Sequence, residues 1–278
     1  MDFKTVFLAV GNTQDDVEVD RAVEICGRLG AHLALLALGI APPPPASPYG
    51  VVSNDIWASE IREGQEAVQA RAAEIAARLA ESGISVSVDS QYIDRGSVPP
   101  LAARFARYAD LTLVTPQLPH FESMQSWVMD GVLFESGRPV LLLPPGATRF
   151  PEAKVVMLGW NASVEAAKAV RDAIWLMQQA EAVHAVLVDP VPSFDGHGPE
   201  PGVDLATYLG RHGISATIHR LPREGKDTGE LLRRTAADVG AELMVLGGYG
   251  HSRLRERWFG GTTTDIIRSA PVPVLMAH

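Results

Sequence analysis

Residues 154–159 read Lys-Val-Val-Met-Leu-Gly, and the next four residues, 160–163, read Trp-Asn-Ala-Ser. The apolar run is short and unbroken, which is typical of a strand buried on both faces of a sheet. Ser163 has the side chain of a helix N-cap, and Glu165 follows in the first turn, where the helix dipole favours an acid. The stretch therefore predicts a strand, a polar turn and a helix. The apolar residues at helical spacing are Ala166, Ala169, Val170, Ala173, Ile174 and Met177.

The chain opens with the same pattern. Thr5–Val10 is an apolar run that leads into the turn residues 11–13, and apolar residues at helical spacing follow it. Those residues are Ala22, Ile25, Cys26 and Leu29. Matching segments continue through both halves. Each of the following pairs gives the first-half segment and then its second-half counterpart. We predict strands at Leu33–Ile40 and Ala182–Val188, at Ser85–Asp89 and Ala216–Arg220, at Leu111–Thr115 and Leu243–Leu246, and within Arg138–Leu143 and Val272–Met276. We predict the helices between these strands at about Asn54–Glu81 and Val203–Arg211, and at Val98–Tyr108 and Thr228–Val239.

A unit of alternating strands and helices that occurs twice predicts two domains rather than one large domain. Near-continuous apolar strands joined by helices indicate a parallel sheet covered on both faces. We therefore predict two tandem doubly wound α/β domains, residues 1–147 and 152–278, with a cluster of turn residues between them. Each domain is predicted to hold a five-stranded parallel sheet in the order 3-2-1-4-5, with helices on both faces.

The composition excludes several classes of protein. Of the 278 residues, 46% are hydrophobic and 21% are charged, which is ordinary for a globular protein with a core. The longest apolar run, Leu33–Ile40, is too short to span a membrane, and the first residues lack the pattern of a signal peptide. A net charge of −9 argues against nucleic-acid binding. The single cysteine, Cys26, excludes an internal disulfide and predicts a small buried side chain. We expect a soluble cytoplasmic protein.

The loop after the fourth strand of the second half has the composition of an anion-binding segment. Residues 247–265 read Gly-Gly-Tyr-Gly-His-Ser-Arg-Leu-Arg-Glu-Arg-Trp-Phe-Gly-Gly-Thr-Thr-Thr-Asp. The glycines let the backbone approach a ligand, and the first N–H groups of a helix predicted at about Thr262–Ser269 have no partner within that helix. Phosphate oxygens accept from such N–H groups and from threonine hydroxyls, and the arginines add positive charge. A tight turn, with a threonine that only caps the helix, is the alternative.

Other catalytic and metal motifs are missing from the sequence. The glycine loop lacks the Gly-Lys-Ser/Thr ending of a P-loop, and neither half has the three spaced glycines of a dinucleotide loop after its first strand. No Gly-x-Ser-x-Gly segment indicates a serine hydrolase. The eight histidines show no metal-ligand spacing, so surface or packing roles are expected for His212 and His219.

At the glycine loop the sequence resembles the universal stress protein family. Nucleotide-binding members of that family have a glycine, two residues, a second glycine, nine residues, and then a glycine followed by serine or threonine. Gly247, Gly250 and Gly260 match the three glycines, with residues 251–259 as the spacer. The family's adenine-contacting aspartate falls on Asn161, and the hydroxyl position falls on Gly261, one residue before Thr262. The resemblance covers essentially the whole chain as a tandem pair.

The resemblance implies a regulatory protein of the stress response that binds ATP, with or without Mg²⁺, or a related adenine nucleotide in its second domain. No catalytic residue and no metal ligand is predicted. Two alternatives stay open, a ligand-free scaffold and a slow ATP hydrolase that uses the same loop. The predicted nucleotide-binding residues are Asn161, Ser163, Gly247, Gly250, His251, Arg253, Gly260, Gly261, Thr262 and Thr263.

The first half departs much further from this pattern. After its fourth strand, residues 115–122 read Thr-Pro-Gln-Leu-Pro-His-Phe-Glu, without a glycine pair or a basic cluster. Prolines remove backbone donors where an anion needs them, and Gly11 occupies the position of the adenine-contacting aspartate. We expect no nucleotide here. The family resemblance implies an intrachain pseudo-dimer through the last strands, Val140–Leu143 and Val274–Met276, and leaves open a further homodimer.

Overall fold

The computed structural model of the chain describes residues 3–12, 16–44, 54–115, 124–144, 146–147, 150–248, 266 and 269–278. Within these residues, strands and helices alternate along both halves of the chain. The first half contains β1 (Thr5–Gly11), α1 (Val17–Leu29), β2 (His32–Ile40), α2 (Asn54–Leu79), β3 (Val86–Ile93), α3 (Val98–Ala106), β4 (Leu111–Val114), α4 (Met124–Gly131) and β5 (Val140–Leu142). The second half contains β6 (Val155–Gly159), α5 (Val164–Gln179), β7 (Ala182–Val188), α6 (Val203–Arg211), β8 (Ala216–Leu221), α7 (Thr228–Asp238), β9 (Leu243–Gly247) and β10 (Val274–Ala277).

The chain divides into two compact units. One unit holds β1 to β3, most of β4 and the helices α1 to α4, and its strands are parallel in the order β3-β2-β1-β4. The other unit holds β5 to β10 and the helices α5 to α7. Its order is β5-β10-β9-β6-β7-β8. Within that unit, β8-β7-β6-β9-β10 is the order 3-2-1-4-5. The doubly wound α/β class is therefore confirmed.

The last strand of the first half, β5, is counted with the second unit. It runs antiparallel to β10, with Val140 opposite Met276 and Leu142 opposite Val274. All four of these side chains are buried. The pairing covers what would otherwise be the open edge of β10, which is a common way to protect an apolar edge strand. The sequence boundaries at residues 147 and 152 stay a prediction of where the two repeats meet.

The strands of both units are buried where the sequence is apolar. The polar strand β3 is longer than predicted. It was expected to end at Asp89 but continues to Ile93, because residues 91–93 pair with Leu38–Ile40 of β2. β3 has β2 as its neighbour on one side only within its unit, so its side chains remain partly exposed. Polar residues are tolerated on such a strand, and the sequence therefore gave no apolar signal for its full length.

Cys26 is fully buried on α1, as predicted. Burial raises the pKa of its thiol from 9.0 to about 12, so the side chain is a neutral packing group at physiological pH. In the part of the chain that the structure describes, no helix combines the length and the apolar character needed to cross a membrane.

Candidate functional site

The strand order of the second unit reverses between β6 and β9. From β6 the chain moves outward to β7 and β8, then crosses back to β9 on the other side of β6. The carboxyl ends of two such neighbouring strands diverge into loops on opposite faces, which leaves a crevice where ligands of open α/β sheets bind. Both segments singled out from the sequence, residues 160–163 and the loop that begins at Gly247, start at this edge.

The turn after β6 is ordered by its own side chains. Trp160 N donates to Val186 O at 2.9 Å, so the backbone remains attached to β7 for one residue beyond the strand. Asn161 Oδ1 then accepts from Ser163 N at 3.2 Å, and Ala162 between them has a φ of 59°. An Asx turn of this kind directs the chain out of the sheet and into the following helix. Asn161 is exposed at the predicted position.

Ser163 caps α5, as predicted. Its Oγ accepts from Ala166 N at 3.1 Å, and its backbone is extended. The cap satisfies one donor of the first turn, and the positive end of the α5 dipole lies at the carboxyl edge of β6. The role of Ser163 that the structure describes is therefore to begin the helix, and its contact with a nucleotide stays a prediction.

Gly247 ends β9 directly beneath the start of α5. A Cβ atom at this position would lie 2.5 Å from Ala166 N and 2.9 Å from Ala166 Cα. Those are backbone atoms of a capped helix, so they have no room to yield. Glycine is therefore required at position 247 by the packing of the helix, independently of any ligand. Ser163 and Gly247 converge on the same backbone nitrogen, which brings these two predicted residues together.

The start of the glycine loop is attached to the end of the chain. Gly248 N donates to Ala277 O at 2.8 Å, and His278 Nδ1 lies 2.9 Å from Gly248 O, which accepts. These bonds fix the direction in which the loop leaves β9. The remaining predicted residues lie outside the described residues. They are Gly250, His251, Arg253, Gly260, Gly261, Thr262 and Thr263.

The strand registers show which residues of the first half correspond to this site. Val6 is paired with Leu111 as Val156 is paired with Leu243. Counting along each strand from these pairs, Gly11 corresponds to Asn161 and Thr115 corresponds to Gly247. The buried Thr115 thus occupies the position at which the second unit has no side chain. The segment that follows it, residues 116–123, lies outside the described residues.

Two features were missed by the sequence analysis. His184 on β7 and His219 on β8 face each other with 3.0 Å between Nδ1 and Nε2, although 35 residues separate them in the chain. Asp130 on α4 is half-buried, and burial raises the pKa of its carboxyl from 3.8 to about 6. Neither feature has a local sequence motif. Among the described residues, no group of three or more histidine, cysteine or acidic side chains could hold a metal ion.

The fold and the candidate site define a doubly wound α/β protein with a glycine-rich loop at its topological switch point. Residues 152–278 match the model of the universal stress protein family. The match covers the second half of the chain and confirms the resemblance found at the glycine loop. A comparison with curated protein sequences gives no significant match.

Solved structures extend the similarity in fold to nearly the whole chain. A universal stress protein from Archaeoglobus fulgidus DSM 4304 is 16% identical with a TM-score of 0.66, over 98% of this chain and 97% of that one. A candidate universal stress protein from Pseudomonas aeruginosa UCBPP-PA14 is 17% identical with a TM-score of 0.60, over 99% and 93%. A protein of unknown function from Pseudomonas aeruginosa PAO1 is 17% identical with a TM-score of 0.57, over 99% and 92%. At these identities the similarity establishes the fold.

Proposed function

We propose that the second unit binds ATP or a related adenine nucleotide at the β6–β9 switch point, and that binding regulates the contacts of a cytoplasmic stress-response protein. The observation that carries the proposal is the position of the glycine loop. Its first glycine ends β9 beside the capped start of α5, and the crevice of a doubly wound sheet lies at that edge. The spacing of Gly247, Gly250 and Gly260 supports a nucleotide as the ligand.

The charge distribution supports the phosphate end of this proposal. Near the start of α5, Lys168 is engaged with Asp172 at 2.9 Å, and Glu165 in the first turn is acidic. We propose that the loop supplies cations for a phosphate chain, since it carries His251 and the arginines at 253, 255 and 257. Arginine forms paired hydrogen bonds with phosphate oxygens, and glycine N–H groups and threonine hydroxyls complete such a site.

Asn161 is proposed to contact the adenine end. Its side chain has an amide where the family has a carboxylate, so it offers both a donor and an acceptor to a base. Its Oδ1 is already bonded to Ser163 N, which leaves the amide nitrogen as the group for the ligand. We therefore expect weaker adenine recognition than a carboxylate provides, and the change Asn161→Asp should tighten binding severalfold.

The proposed activity is binding rather than catalysis. A slow ATP hydrolase remains the second candidate, since Glu256 and Asp265 are carboxylates within the same loop segment. The pairing of β5 with β10 supports the proposal that the two halves form an intrachain pseudo-dimer. A homodimer of chains would appear as doubled mass in light scattering of the purified protein.

Native mass spectrometry of the purified chain, with and without added ATP, tests the proposal. The expected result is one adenine nucleotide per chain, lost in Gly250→Val and retained in Gly210→Val. Gly210 is a suitable control because it is exposed on α6 and an added Cβ meets nothing within 4 Å. A chain that binds no nucleotide at millimolar ATP overturns the proposal, and two nucleotides per chain place a site in the first half as well. ADP formed above a buffer control, and lost in Gly250→Val, favours the hydrolase.

A further inference from the structure

The histidine pair of the second unit lies on two neighbouring strands, β7 and β8. The glycine loop, in contrast, begins at the carboxyl end of β9. His184 on β7 is opposite Thr217, and His219 on β8 is opposite Val186, so the two histidines are diagonal neighbours. Side chains two residues apart along a strand lie on the same face of the sheet, which places both rings together. Their centroids are 5.2 Å apart, and both side chains are half-exposed.

The fold itself does not require histidine at either position. By strand register, the first-unit residues that correspond to His184 and His219 are Ala34 on β2 and Asp89 on β3. An alanine and an acid serve there in the same sheet geometry. The second unit therefore has two imidazoles at adjacent places where the first unit has an alanine and an acid.

We propose that His184 and His219 form a two-histidine site for a first-row transition-metal ion, with Cu²⁺ preferred over Zn²⁺. The distance between His184 Nδ1 and His219 Nε2 is 3.0 Å. Metal–imidazole bonds of about 2.0–2.1 Å place two neighbouring ligand nitrogens about 2.9–3.4 Å apart in tetragonal or tetrahedral geometry. The observed separation of the two nitrogens lies within this range, so rotation of the rings about their side-chain bonds is enough to direct both nitrogens at one ion.

The protonation of the pair is compatible with this role. The hydrogen bond between the two rings requires one of the facing nitrogens to be unprotonated and to accept. One of the facing nitrogens carries the hydrogen that joins the two rings. When a metal binds, that hydrogen moves to the outer nitrogen of the same ring, and both facing lone pairs become ligands without net proton release.

The protein supplies two ligands, and water completes the coordination. No third histidine, cysteine or carboxylate joins the pair among the described residues. The two strands hold the imidazoles in place through their backbone pairing, so little order has to be gained on binding. With imidazole ligands alone, the affinity order of divalent ions favours Cu²⁺ over Zn²⁺ and Ni²⁺.

The test is a Cu²⁺ titration of the metal-stripped full chain at pH 7.5, followed by electron paramagnetic resonance. The expected spectrum shows hyperfine coupling to two nitrogens at one equivalent of Cu²⁺. His184→Gln and His219→Gln should each weaken binding by about tenfold or more, and the double variant should lose little further. His212→Gln is the matched control, since that ring packs against Tyr208 at a centroid distance of 4.8 Å and should leave binding unchanged.

Equal Cu²⁺ affinity in the wild type and both single variants would overturn the proposal and assign the ion to another histidine. If a glutamine variant is poorly folded by circular dichroism, His219→Cys keeps a metal ligand at the same position. That variant should show a thiolate-to-copper charge-transfer band, and a folded protein without the band contradicts the site. The outcome is independent of nucleotide binding, because Gly250→Val should bind Cu²⁺ as the wild type does.

Discussion

The two switch points of the chain are built on the same strand register but end in different residues. In the second half, β6 ends before Asn161 and β9 ends at Gly247, and in the first half the corresponding residues are Gly11 and Thr115. The glycine thus stands at the end of the first strand in one half and at the end of the fourth strand in the other. The second half has the amide of Asn161 after its first strand, whereas the first half has the buried hydroxyl of Thr115 after its fourth.

The turns that follow differ in length as well. Helix α5 begins three residues after Asn161, whereas α1 begins six residues after Gly11 (164 − 161 = 3 and 17 − 11 = 6). The short turn, closed by the Asn161 and Ser163 bonds, brings the start of α5 against Gly247. A helix can therefore begin close to the fourth strand when a short capped turn precedes it and a glycine ends that strand.

The largest expected effect comes from giving Gly247 the side chain found at the corresponding position of the first half, Thr115. Gly247→Thr adds a Cβ at 2.5 Å from Ala166 N, and the helix backbone has to move to admit it. Overpacking against backbone costs about 3 kcal/mol of unfolding free energy. Urea unfolding followed by the fluorescence of Trp160 and Trp175 measures the loss in this unit.

The reverse change, Thr115→Gly in the first half, is the matched control for that substitution. It removes a buried side chain and adds backbone freedom, for a smaller loss of about 1 kcal/mol. If Gly247→Thr is tolerated within a few tenths of a kcal/mol, α5 does not pack on β9 as described. The contrast drawn between Gly247 and Thr115 would then lose its structural basis.

A pH dependence distinguishes the first helices of the two units. Helix α1 carries the single cysteine of the chain, Cys26, and its side chain is fully buried. Because burial raises the pKa of the Cys26 thiol to about 12, the folded state favours the neutral form. This contribution is complete below the unfolded pKa near 9 and is lost as the pH rises from there towards 12. The loss is about 1.4 kcal/mol per pH unit in that window.

Cys26→Ala removes the thiol and should remove this alkaline loss. The measurement is the unfolding free energy at pH 8 and pH 11 for the wild type and the variant. The wild type is expected to lose about 2.6 kcal/mol more than Cys26→Ala between the two pH values. Lysine and tyrosine titrations are common to both proteins and cancel in the difference. Parallel curves would show that the thiol is accessible to water in the folded protein.

The sequence predicted the fold well where strands are apolar and helices end in clear signals. Helix α6 has its predicted bounds, Val203–Arg211, because Gly213 stops the helix two residues later. β3 was predicted too short, since a strand with one neighbour in its unit carries polar residues. The His184–His219 pair was not predicted, because it depends on the register between two strands, and periodicity within a segment does not contain that register.

The candidate site was predicted from two kinds of signal with different outcomes. The N-cap at Ser163 follows from local backbone chemistry and is confirmed by its bond to Ala166 N. Gly247 was singled out for its approach to a phosphate, and the structure adds a packing reason for it. A spaced-glycine pattern therefore combines positions that the fold needs with positions that a ligand needs, and sequence alone does not separate them.

The smallest expected effect separates these two needs. Ser163→Ala removes the cap of α5 but leaves every glycine in place, and the loss of one N-cap costs about 1 kcal/mol. If the start of α5 only supports the fold, the ATP affinity of Ser163→Ala should stay within about twofold of the wild type under conditions where both proteins are fully folded. If the positive end of α5 contributes to phosphate binding, the frayed turn should weaken ATP binding by about fivefold while adenosine binding is unaffected.

Ser163→Asp restores a capping oxygen and serves as the control for stability, and its added negative charge should still weaken ATP binding. Calorimetric titration with ATP and adenosine measures both ligands, and equal losses for the two would assign the effect of Ser163 to the adenine end through its bond with Asn161.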